Sequence, residues 1–86
     1  MPIPQNITRQ HILEAMSRIH REGVPAHRGA KKWATRYEGV PYPCKLLISW
    51  ANIYANGYEL DSNPSNFNTY QAQEYLAGKG FVSAPI

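Results

Sequence analysis

The nine-residue run "RGAKKWATR" sets Arg28, Lys31, Lys32 and Arg36 around Trp33. Cations repeated at this spacing neutralise phosphates, and an interleaved aromatic offers a face to a base. His27 stands just ahead of the run and is a further candidate phosphate contact. A second cluster follows at Tyr42-Pro43-Cys44-Lys45, where an extended segment passes into an apolar helix. A helix opening at Pro43 leaves the amides of Cys44, Lys45 and Leu46 without intrahelical partners, and its dipole favours an anion there. Lys45 adds a cation and Tyr42 a hydroxyl donor or stacking face, a set suited to a phosphate oxygen. The plain structural alternative is a helix start beside a solvated loop; within the run, Trp33 is expected mostly in the core and the cations are the functional part.

Other chemistries lack their parts. Cys44 is the single cysteine, and no His–Asp or His–Asn arrangement marks it as a nucleophile. His11, His20 and His27 do not share the short spacings of zinc sites. No catalytic residue, metal site or cofactor is therefore assigned, and the chain is read as non-catalytic.

The candidate residues need elements to position them. Thr8 is a suitable N-cap for a helix through about Glu22. Ile12, Ala15, Met16 and Ile19 would form its apolar stripe, and Arg9, Arg18 and Arg21 would face water. Gly23 and Pro25 stop it, and residues 24–32 form a basic loop. Trp33–Tyr37 and Val40–Tyr42 alternate as a hairpin turning at Glu38-Gly39, with Pro41 marking the second strand as an edge. From Pro43 to Asn56 the positions Leu46, Leu47, Trp50, Ala51 and Tyr54 follow helical spacing, widened by Ile48 and Ile53. This is the expected central helix, and Gly57 ends it. Residues 58–68 form a polar loop. A last helix starts near Thr69 or Tyr70, with Tyr75 and Leu76 inward, and Phe81-Val82 supply a closing strand. The expected order is α-β-β-α-α-β, a small single α+β domain with three helices on a short antiparallel sheet. Residues 1–6 would be an extended arm and 7–86 the domain.

With 86 residues, 43% of them hydrophobic, the chain suits one folded domain. Residues 1–45 carry eight Lys and Arg against three acidic residues, whereas residues 46–86 carry only Lys79 against three. Such polarity orients a small domain on an anionic partner. One cysteine, no signal-like N-terminus and no membrane-length apolar run fit a cytoplasmic protein.

Taken together, "HILEAMSRIHREGVP", "YEGVPYPCKLLISWANIYANGYEL" and "EYLAGKGF" resemble the N-terminal head domain of McrA-type HNH restriction endonucleases, enzymes that cut modified DNA. The resemblance covers about residues 7–82. It rests on the order of Gly23-Val24-Pro25 with Arg28, Tyr42-Pro43 with Lys45, Gly57, Leu60, Phe67 and Gly80-Phe81. The family pattern has a second proline where Cys44 stands, and Phe-Ser-Gly-Gly where this chain reads Phe67-Asn68-Thr69-Tyr70. The nuclease and modified-base modules of those enzymes have no counterpart here. The resemblance implies an accessory domain of a restriction system that contacts DNA or docks a nuclease domain or subunit.

The residues and the resemblance give one leading expectation, a module contacting the backbone of duplex DNA ahead of RNA. Arg28, Lys31, Lys32, Arg36, Tyr42 and Lys45 form its contact set. The rival is a protein-docking domain using exposed rings among Trp50, Tyr54, Tyr58 and Tyr70.

Overall fold

The computed structural model describes residues 3–30 and 32–86, so Lys31 of the expected contact set lies outside the described residues. Helix α1 spans Arg9–Glu22, strands β1 and β2 span Trp33–Tyr37 and Val40–Tyr42, helix α2 Cys44–Asn56, helix α3 Thr69–Gly78 and strand β3 Val82–Pro85. The order and the α+β class are those the sequence predicts.

Local chemistry accounts for the boundaries. Thr8 Oγ1 accepts from the His11 amide at 3.3 Å, and His11 Nδ1 accepts from the Thr8 amide at 3.0 Å. This is a capping box with histidine where Glu or Gln is usual. Asn68 and Gln71 close the same reciprocal pair at the start of α3, at 2.8 and 2.9 Å. Gly57 ends α2 in the left-handed conformation, with φ 88°. At the hairpin, Glu38 and Gly39 have φ of 50° and 80°, the two positive angles that a type I′ turn requires.

The sheet order is β2-β1-β3, antiparallel throughout. Pro41 thus sits on an edge strand, where its missing N–H breaks no ladder. Thr35 lies opposite Tyr42 on one side and Ser83 on the other, so these three share the face turned toward α2. There Thr35 Oγ1 donates to Cys44 Sγ at 3.2 Å and pairs with Ser83 Oγ at 3.2 Å. Period-two alternation sends Arg36 and Val82 to the other face, where both are exposed.

Helix α2 is the centre of the core. Cys44, Leu46, Leu47, Ile48, Trp50 and Ala51 are all buried on it, with α1 packed along one side and β1 and α3 along others. The stripe Ile12, Ala15, Met16 and Ile19 of α1 is buried as expected. Tyr54 departs from the expected α2 stripe and is exposed. Pro43 is the N-cap, with ψ 125° still extended, so the helix begins at Cys44, one residue later than expected.

Two arginines expected in water are engaged. Arg9 donates to the Lys79 carbonyl at 2.8 Å and covers the Phe81 ring at 4.3 Å. Arg18 lies over Trp50 at 4.3 Å and donates to Glu22 at 3.2 Å. Within the expected arm, residues 3–6 belong to the packed body. Ile3 is buried in the core, and the Tyr75 hydroxyl donates to the carbonyls of Pro4 and Ile7 at 2.9 and 3.0 Å. No helix among the described residues is long and apolar enough to cross a membrane.

Candidate nucleic-acid interface

The loop between α1 and β1 turns back at Pro25, with the Arg28 amide donating to the Pro25 carbonyl at 3.1 Å. His27 supplies the positive φ, 64°, that a turn of this kind needs at its third position. The turn carries His27, Arg28 and Lys32 to one side of a groove of about 790 Å³. The first turn of α2, Pro43 to Leu46, forms another side, and Ser62, Pro64, Thr69, Tyr70 and Gln73 close it. The volume falls within the roughly 300–1,000 Å³ usual for ligand sites.

Both α2 and α3 thus present their N-terminal ends to the same space. α3 is capped by Asn68, whereas Pro43 offers α2 no side-chain cap. None of the described residues lining the groove is acidic, so positive charge and two dipole ends act there without an internal carboxylate. Just outside, Glu59 accepts from Arg28 Nη1, and the same oxygen accepts from Trp50 Nε1 at 3.2 Å. Lys45 Nζ donates to the Ser62 carbonyl and lies 5.2 Å from the Phe67 ring centre. Burial holds the Lys45 ammonium below its ordinary value, and Arg28 pushes the same way against the opposing pull of Asp61. The attraction of an anion in the groove would act against both effects.

The structure brings Arg28, Lys32 and Lys45 of the expected set together and separates two others. Tyr42 is only 7% exposed and lines a smaller depression with Leu13, Met16 and His20. Its register opposite Thr35 turns it inward, and burial, then Glu38, raises its phenol pKa. Arg36 is exposed on the outer sheet face and does not line the groove.

Trp33 is corrected in the other direction. It was expected mostly in the core, yet at the start of β1 it is 40% exposed and lines the groove. Tyr70, absent from the expected set, is 68% exposed on the same groove. The signal for it was its place in the first turn of α3, a tyrosine just after the Asn68 cap where the helix end faces outward.

The rings named for protein docking do not form one patch. Trp50 is buried, while Tyr54 and Tyr58 are exposed at the C-terminal end of α2 and Tyr70 lies at the groove by its N-terminal end. A helix of 13 residues separates those ends by about 20 Å. Among the described residues no cluster of three His, Cys, Asp or Glu side chains could hold a metal ion. Comparison with protein-family models, characterised proteins and solved structures gave no match, so the reading of the groove rests on its own geometry.

Proposed function

We propose that the chain is a nucleic-acid-binding module, non-catalytic by itself, that holds DNA phosphates in the groove between the 27–33 loop and the N-terminal ends of α2 and α3. One observation carries this reading: Arg28, Lys32 and Lys45 converge with His27 and Trp33 on a groove whose described lining contains no carboxylate. The basic bias of residues 1–45 supports it, as does the resemblance to the head domain of McrA-type restriction endonucleases, in which an accessory DNA-contacting role is the implied one.

Among the described residues the groove holds three of the five expected cations, and Arg28 is paired with Glu59, which leaves Lys32 and Lys45 without a carboxylate partner. Two such contacts would give a log–log salt slope of roughly −1.5 to −2, shallower than the −4 to −5 of five contacts. The test is an amide-shift titration with a short duplex and a short single strand at about 50 and 200 mM salt. Shifts at residues 27–33, 43–46 and 69–73 that fade at the higher salt support the module. Their absence with every nucleic acid at the lower salt overturns it.

A further inference from the structure

The groove carries two aromatic faces that phosphate binding does not use. Trp33 and Tyr70 are 40% and 68% exposed, and both line it. Large rings left in water cost free energy unless a partner covers them. Here each stands beside cations: Lys32 precedes Trp33 in sequence, and Lys45 lines the same groove as Tyr70.

We propose that the groove seats unpaired nucleobases on Trp33 and Tyr70, so that the module takes single-stranded nucleic acid in preference to duplex. This rests on the nucleic-acid reading above and narrows its ligand. Three observations argue for it.

A base inside a duplex has both faces covered by its neighbours and offers an indole or phenol only its edge, whereas an unpaired base offers a whole π-face. Exposed rings lining a basic groove therefore match a strand whose bases are free. The charge matches as well. Cations with no carboxylate among the described lining residues follow a phosphate backbone, and the aromatics add a contact that depends little on sequence. The space also matches. A concavity of about 790 Å³ has the dimensions of a site for small groups such as single bases.

The rings are also free of competing partners of their own kind. Tyr37 and Phe81 form an edge-to-face pair at 5.7 Å away from the groove, and the cation–aromatic contacts of the fold fall on Phe81, Trp50, Phe67 and Tyr75. Among the described residues, no such contact engages Trp33 or Tyr70.

The experiment measures binding of an oligothymidylate and of a blunt duplex of equal length to the whole chain, by fluorescence anisotropy at about 50 mM salt. Intrinsic tryptophan emission is followed in parallel. Trp50 is buried, so quenching on addition of the strand reports Trp33. The expected result is a single-strand affinity at least tenfold above that of the duplex, with quenching. Trp33→Leu and Tyr70→Leu should each weaken single-strand binding by roughly ten- to a hundredfold, the range for loss of one base–aromatic stack. Trp33→Phe should keep most of it. Duplex binding should fall by less than strand binding in each leucine variant, and the amide spectra of all three variants verify the fold.

Equal affinity for strand and duplex, or leucine variants that bind the strand as the parent does, would overturn the inference and leave the phosphate-binding reading standing. Absence of binding to either nucleic acid would overturn both.

Discussion

Arg28 and Glu59 are joined across 31 residues of chain by an ion pair at the edge of the groove. The glutamate oxygen that receives the guanidinium also receives the indole N–H of Trp50. One carboxylate thus ties the basic loop to the central helix and withdraws one cation from any incoming phosphate. Such a half-exposed pair contributes little to stability, about 0–1 kcal/mol, so its larger effect is on the charge the groove presents.

Glu59→Gln keeps an acceptor for Trp50 and releases Arg28. Nucleic-acid affinity should rise severalfold at low salt, and the log–log salt slope should steepen by about 0.9, one further phosphate contact. Chemical denaturation should place its stability within about 1 kcal/mol of the parent. An unchanged slope would mean that Arg28 never reaches a phosphate.

Lys32→Ala and Arg36→Ala make a paired comparison. Both remove one exposed positive charge, four positions apart, and only Lys32 lines the groove. The first should lower affinity and flatten the salt slope by about 0.7–0.9, while the second should leave the slope unaltered. Equal effects from the two would show that net charge alone drives binding. Tyr42→Phe should likewise bind as the parent does, since Tyr42 is buried in the other depression.

The element boundaries were legible because their signals are local: Thr8 as a cap, Gly57 as a stop, Glu38-Gly39 as a hairpin turn. The groove was half legible. Arg28, Lys32 and Lys45 stand out as cations beside loops and a helix start. Arg36 and Tyr42 lie off the groove because alternation along the strands decides their direction, and which face of the sheet is covered depends on packing against α2 that no local signal gives. Trp33 was misread because an aromatic opening a strand looks the same in sequence whether or not a helix covers it. The partner of Arg28 lies in a distant loop and carries no local mark.

Ser49 Oγ is buried on α2 and has no hydrogen-bond partner among the described residues. A buried hydroxyl in that state costs stability, and alanine is also the better helix former. Ser49→Ala should stabilise the fold by about 1 kcal/mol, seen as a melting temperature roughly 4–8 °C higher. A lower melting temperature would show that the hydroxyl is satisfied in solution.

Alkaline titration should reveal groups of opposite sign. Burial raises the phenol pKa values of Tyr42 and Tyr75 above the ordinary 10.0, and for Tyr75 this outweighs the opposing hydrogen bond to Ile7. Their contribution is complete below 10.0 and is lost as pH climbs through the folded values, because the unfolded chain ionises first. Lys45 is held below its ordinary 10.5, so the folded amine sheds its proton earlier, and stability increases as pH rises through the interval below 10.5. Denaturation midpoints between about pH 8 and 11, compared among parent, Tyr75→Phe and Lys45→Met, separate the two. Tyr75→Phe should lose about 1 kcal/mol at neutral pH and decline less steeply at high pH. Lys45→Met should lack the gain below 10.5.

The foot of the basic loop is fastened by the end of the chain. Trp33 pairs with Pro85, and the Ile86 amide donates to the Lys32 carbonyl at 2.9 Å. During synthesis the loop that carries most of the groove's charge leaves the ribosome long before residues 82–86. Until that strand has emerged from the exit tunnel, Lys32 and Trp33 have no partner on that side to hold them at the rim. The placement of Lys32 and Trp33 is therefore a property of the whole fold and not of the loop and hairpin alone.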